Sequence, residues 1–159
     1  MAVTAHVYNH YAKEIAAGAI DQENRKLMFL DADAATLFNA THTSVDQVAG
    51  ALAGEPEERE HEVYGNGWPQ GGPAVAEIAA TTINTNGAAV SGAQTVEDAT
   101  GGSIGPGRSI LDYDATSGKP FVFYDLGQDE YAGDSTPFKL TFDLDGTPGR
   151  MIELLVVEE

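Results

Sequence analysis

Cysteine is absent from the 159 residues, so disulfides, thiolate metal sites and a thiol nucleophile are all excluded. Basic residues are scarce: eight Lys and Arg stand against 25 Asp and Glu, a formal net charge of −17. No basic patch exists to neutralise phosphates, and neither nucleic acid nor an anionic membrane is expected as a direct partner. Long hydrophobic runs are missing too. No stretch of about 18 apolar residues is available to cross a bilayer as a helix, and "MAVTAHVYNH" lacks the basic start and apolar middle of a secretory signal. The expectation is a soluble protein, made and kept without Sec-type export.

What is present argues against disorder. Hydrophobic residues make up 42% of the chain and recur periodically, which a solvated acidic tail does not show. The acids are scattered along the whole length, and Lys13, Lys26, Lys119 and Lys139 are the only lysines. Such an acidic, Lys-poor surface resembles that of proteins from salt-loving organisms. A shell of carboxylates repels itself in dilute buffer, and molar salt relieves the repulsion by shortening the Debye length to about 3 Å. The length suits one domain able to bury roughly 70% of its unfolded surface.

Residues 7–19, "VYNHYAKEIAAGA", place Val7, Tyr11 and Ile15 at i, i+4 and i+8, predicting an N-terminal helix within residues 7–24 with one apolar face. "KLMFL", 26–30, reads as a short buried strand. Ser44 followed by Gln47 predicts a capping box, with Gly50 ending a short helix. "EPEEREHE" reads as a charged surface loop. From residue 74 onward the strand signals dominate. "AVAEIAATTI" and "AAVSGAQTV" flank an Asn-Gly turn, "RSILDYD" and "FVFYDL" flank "ATSGKP", and "FKLTFDL" alternates before "DGTPG" turns the chain into "RMIELLVV". One helix followed by seven or eight strands over 26–157 predicts a mainly β chain: a single-domain β-sandwich or jelly-roll over residues 1–159 with an N-terminal α-helix.

Several motifs approach known chemistry and fail. From Gly102, "GSIGPGRS" approximates a phosphate loop. Arg108 replaces the required lysine, Pro106 removes a donor, and a strand-like segment follows where a helix N-terminus must stand. A glycine-rich inter-strand loop is expected instead. "DLDG" opens like a calcium loop, but its twelfth position is Leu154, so Asp143 and Asp145 remain only as surface cation candidates. "GNGWPQGG" has Gln70 where a dinucleotide fingerprint needs glycine, leaving Trp68 as an apolar or contact residue of a turn. His6 and His10 stand at i, i+4 but lack the acid of a zinc-protease helix and read as surface histidines. No G-x-S-x-G occurs. Asn39 heads a glycosylation sequon with Thr41. No catalytic constellation, cofactor site or metal site is predicted, and the expectation is a structural or binding protein, not an enzyme.

Three stretches carry a further signal. "VYNHYAKEIAAGAID", "KLMFL" and "FNATHTSVDQVAG" form the first. "HEVYGNGWPQGG" is the second, a V-x-G-x-G-aromatic-x-x-G-G pattern on Val63, Gly65, Gly67, Trp68, Gly71 and Gly72. "LDYDATSGKPFVFYDLG" with "FKLTFDLDG" is the third. Counted from end to end they span 7–50, 61–72 and 111–146, more than half of the chain, and resemble, in order, a family of small virion-associated proteins encoded among the head genes of tailed bacteriophages and related archaeal viruses. The acidic "EPEEREHE" and the extension "RMIELLVVEE" depart from that pattern.

The resemblance implies a virion structural protein with a β-sandwich fold and no catalytic residues. With the acid excess, it points to a tailed virus of a haloarchaeon. The expected role is a capsid decoration or turret-type protein, assembled in the host cytoplasm and located on the virion. Its expected partners are the major capsid protein and further copies of itself, as trimer or pentamer. A tail or head-tail joining protein is the alternative, and a carbohydrate- or receptor-binding module using Trp68, Tyr64 and Tyr131 is the second. Interface candidates are Val7, Tyr11 and Ile15 on the predicted helix, which either close the sandwich or dock on a neighbour, and Trp68, because aromatics anchor interfaces.

Overall fold

The computed structural model describes residues 3–16, 24–52, 55–84, 87–144, 147–148 and 150–155. In chain order the elements are β1 (Thr4–Val7), α1 (Asn9–Ala16), β2 (Arg25–Leu30), a 3₁₀ turn (Ala34–Leu37), α2 (Val45–Ala49), β3 (Ala51–Leu52), β4 (Glu55–Arg59), β5 (Ala79–Asn84), β6 (Gly87–Ser91), β7 (Thr95–Asp98), β8 (Ile104–Asp114), β9 (Lys119–Ala132), β10 (Pro137–Leu140), β11 (Asp143–Leu144), β12 (Thr147–Pro148) and β13 (Arg150–Leu155). The chain is mainly β, its sheets are antiparallel and its helices are short.

Contacts divide the chain into two compact units, Met1–Ala74 with Glu97–Phe138, and Val75–Val96 with Lys139–Glu159. The second unit holds a three-stranded sheet in the order β13-β6-β5 and the small β11–β12 hairpin. Within it Val75 and Met151 are buried, and a Cβ on Gly92 would stand 2.6 Å from Val75 Cγ1 and 2.7 Å from Met151 Sδ. Hydrogen at that position lets the two side chains close over the backbone.

The first unit is built on a four-stranded sheet in the order β1-β9-β8-β2, with a separate β3–β4 pair. Cross-strand partners share a face. The register Arg25↔Asp114, Leu27↔Asp112, Phe29↔Ile110 and Ile110↔Tyr124 puts these side chains on one face, and Lys26↔Tyr113, Met28↔Leu111 and Leu111↔Phe123 on the other. Both faces are covered. Tyr11 of α1, Trp68 and Phe138 lie against the first, where Phe29 meets Trp68 and Phe138 at ring separations of 5.8 and 4.9 Å. Phe38 lies against Phe123 of the second at 5.5 Å. Residues 27–30, 109–114 and 120–124 are buried on both faces, so the alternation of "RSILDYD" and "FVFYDL" does not mark a solvent face.

The N-terminal helix is shorter than the segment 7–24 predicted from spacing. Val7 pairs with Val122 in β1 and the Tyr8 N–H donates to the Phe121 carbonyl at 3.1 Å, so the ladder holds the chain extended through Tyr8 and α1 begins at Asn9. His6 is therefore a strand residue, and the i, i+4 pairing with His10 on one helical face does not form. Residues 17–23 lie outside the described residues. The capping box of Ser44 and Gln47 is present at α2, which ends at Gly50 with φ +74°. "EPEEREHE" is partly strand, its Glu55–Arg59 pairing with β3. β8 begins at Ile104, so most of the glycine-rich stretch lies in a strand and Arg108 faces Asp125 at 3.5 Å. "FKLTFDL" is two strands, broken at residues 141–142.

The turn 65–72 is shaped by glycine. Gly65, Gly67, Gly71 and Gly72 all have positive φ, and a Cβ on Gly67 or Gly72 would overlap the carbonyl oxygen of Asp98 or Leu27. Gly118 also has positive φ, +68°, but faces open space. Gly118→Ala is expected to cost about 1–2 kcal/mol of backbone strain alone. Gly72→Ala adds overpacking against main chain, for a total of roughly 2–5 kcal/mol. Chemical denaturation of the two variants checks the order; equal losses would mean that the close approach to Leu27 contributes nothing.

Candidate functional site

The residues singled out from sequence do not converge. Tyr11 and Trp68 are 0% and 1% exposed; both are core, so neither can anchor a partner on the folded surface. Tyr11 instead holds a buried charge. Its hydroxyl accepts a 2.8 Å hydrogen bond from Arg25 Nη1, while Arg25 Nε and Nη2 grip both carboxylate oxygens of Asp112. The guanidinium lies 4.7 Å from the Phe121 ring centre. Val7 is 37% exposed, on the edge strand and not on a helix. The side chains of Ile15 and Asp143, and Asp145 as a whole, lie outside the described residues. Asn39 is exposed, its Oδ1 accepting hydrogen bonds from the Thr41 N–H at 3.0 Å and hydroxyl at 2.8 Å. Among the described residues no group of three or more His, Asp and Glu is placed to hold a metal ion, and no helix is long and apolar enough to cross a membrane.

The structure does assemble a polar cleft of about 320 Å³ in the first unit, against the second face of its sheet. Lys26 and Met28 of β2 and Tyr113 of β8 supply one wall, for they share that face. Val45 of α2, Arg59 at the end of β4, Glu62, Gln70 and Gly71 face them, and Ala115 and Gly118 of the β8–β9 turn complete the lining. Main-chain bonds fix these segments: Val63 N–H donates to the Phe29 carbonyl at 2.8 Å, Leu27 N–H to Pro73 at 3.0 Å and Val45 N–H to Gly118 at 2.8 Å.

Gly71 is held at both its polar atoms, its N–H donating to Glu62 Oε1 and its carbonyl accepting from the Tyr113 hydroxyl at 2.7 Å. Glu62 Oε2 is buried without a hydrogen-bond partner. Burial pushes the Glu62 carboxyl above its ordinary value, against the opposing pull of the Gly71 N–H and of the Arg59 and Lys26 charges. Arg59 Nε faces Asp46 Oδ1 at 2.8 Å. The half-buried Lys26 ammonium has no ion-pair or hydrogen-bond partner among the described residues. Two of the eight basic residues thus line one cleft beside a carboxyl that takes up a proton more readily than an exposed one.

Sequence reading missed this cleft because its residues come from segments far apart. Lys26 was absorbed into an apolar strand, and Arg59 and Glu62 into a charged loop. The available signal was the scarcity of cations: a basic residue inside an apolar strand of so acidic a chain has a reason to be there. No protein-family model matches the chain, and no curated protein or solved structure does either.

A raised carboxyl carries a stability signature. Folded Glu62 titrates above its unfolded value, so its contribution to stability is complete below the ordinary carboxylate range and is lost as pH rises through the folded value. Glu62→Gln keeps a carbonyl for the Gly71 N–H and removes the charge. The variant is expected to match the wild type near about pH 4 and to be the more stable of the two at neutral pH. Thermal unfolding across this range checks it, and a variant equally or less stable at neutral pH would contradict the assignment.

Proposed function

We propose that the protein is a structural component of a tailed-virus particle, a capsid decoration or turret-type protein that binds the head shell and stabilises it. The observation that carries this reading is the role of the residues behind the family resemblance. Gly67, Trp68 and Gly72 form a turn that closes the core, and the strands "KLMFL", "LDYD" and "FVFYDL" build the central sheet of the first unit. These are fold-making positions, and a shared fold is what a resemblance that includes them supports. The finer architecture we infer is a β-sandwich of jelly-roll kind, supported by the antiparallel pairing of the central sheet.

Partners in this reading are the major capsid protein and further copies of the chain. Carboxylates repel a neighbour, so contacts belong on uncharged surface. One such surface is the outer edge of β1, "TAHV" with exposed Val3 and Val7, which no other described strand pairs. It carries none of the lysine, proline or bulge guards that block edge pairing. The carbohydrate-binding alternative loses Trp68 to the core and retains Tyr64 and Tyr131, the latter 68% exposed.

Mass spectrometry of purified particles separated into heads and tails tests the proposal. A copy number comparable with that of the major capsid protein in the head fraction is expected. A few copies in the tail fraction would move the protein to the tail or joining region, and absence from both would overturn a virion role. Val7→Lys is expected to weaken retention on heads without unfolding the chain; unchanged retention would remove the β1 edge from the interface.

A further inference from the structure

We propose that the cleft beside β2 and β8 is a binding site for a small organic carboxylate, held by the Lys26 ammonium and closed by Arg59, Tyr113 and Gln70. Its volume of about 320 Å³ is at the small end of ligand pockets, room for a compact acid and not for a nucleotide. The inference stands apart from the virion reading and does not depend on it.

Charge selects the ligand class. Lys26 is a half-buried cation that no described side chain pairs or hydrogen-bonds, in a chain with a threefold excess of acids. Apart from the exposed Lys13, the cations of the first unit outside the cleft are spent on protein carboxylates: Arg25 on Asp112, Arg108 on Asp125, and Lys119 on Glu14 at 2.6 Å. A carboxylate reproduces for Lys26 what those acids do for the others. Phosphate fits less well. Arg59 is already turned to Asp46, and the two glycine N–H groups at the cleft, those of Gly71 and Gly118, are given to Glu62 and to the Asp114 carbonyl. A dianion would therefore meet a single free cation and no nest of N–H groups. Met28 and Val45 supply an apolar floor for a carbon skeleton.

Glu62 sets the conditions. Ionised, it offsets the attraction of Lys26; protonated, it leaves the cleft cationic. The other charged or titratable groups facing it are Arg59 with its partner Asp46, and Tyr113 across the cleft; neighbouring His61 turns away to Asp31 at 3.2 Å. Carboxylate binding therefore tightens as Glu62 takes up its proton.

Titration of the full chain with lactate, a compact monocarboxylate, tests this. Amide shifts of Gly71 and Gly118 are followed in ¹H–¹⁵N spectra at constant ionic strength, with chloride and inorganic phosphate as separate arms. Saturable shifts are expected with lactate, weakened about tenfold or more by Lys26→Met and retained in Lys26→Arg. Glu62→Gln is expected to bind several-fold tighter than wild type at neutral pH and to lose the tightening that wild type shows as pH falls from neutral through the raised Glu62 value. If Lys26→Met does not fold, the Glu62→Gln gain decides. Equal shifts with chloride, tighter binding of phosphate, or lactate affinity indifferent to both positions would overturn the proposal.

Discussion

A salt bridge with no access to water lies at the centre of the first unit. Arg25 and Asp112 are both fully buried, joined through two parallel hydrogen bonds on adjacent strands, with the Tyr11 hydroxyl on the guanidinium and the Phe121 ring beside it. Burial raises the Asp112 carboxyl against the pull of Arg25, while Arg25 is held above its ordinary value because Asp112 and Tyr11 outweigh the cost of burying its charge. An ion pair so placed adds little net stability over an apolar pair, yet losing either partner strands a charge. Its consequence is geometric. A one-residue slip of β2 against β8 would turn Arg25 to the opposite face and leave Asp112 alone. The bulge at β9 serves the same centre: the register shift between Asp112 and Tyr113 leaves Phe121 unpaired, and its ring packs on Arg25 and Tyr11.

The same register explains the cleft. With Arg25 committed inward on one face, Lys26 must appear on the other, next to Tyr113 and opposite Glu62. One dipeptide of basic residues thus supplies a structural cation to the core and a free cation to the surface of the same sheet. In a chain of net charge −17 the few positive charges are used sparingly, and their positions say more than those of the acids. Surface ion pairs such as Lys119 with Glu14 are worth little individually, whereas the buried pair constrains strand order.

Much of the strand framework was legible in the sequence. Arg25–Leu30, the β8–β9 hairpin around residues 115–118 and the Ser44–Gln47 capping box all follow from local pattern. The helix start did not, because Val7, Tyr11 and Ile15 share a helical spacing while Val7 is captured by Val122 in a ladder, a tertiary preference that overrides periodicity. Trp68 read as a surface contact because its neighbours are glycines and polar residues. Those glycines allow the backbone to approach Asp98 and Leu27, and so to bury the ring. The second unit is assembled from two distant segments, Val75–Val96 and Lys139–Glu159, so no linker or shift in composition marks it. The cleft was hidden for a related reason: residues 26, 59–71 and 113 meet only after β2 and β8 have paired.

A double-mutant cycle on the buried pair tests most directly whether Arg25 and Asp112 act as one unit. Arg25→Met, Asp112→Leu and the double variant would be unfolded by denaturant at fixed molar salt. Each single change is expected to cost about 3–5 kcal/mol, and the double variant to recover most of that loss, because the penalty lies in the unpaired charge. Single losses that simply add in the double variant would contradict the account, showing that Arg25 and Asp112 matter separately.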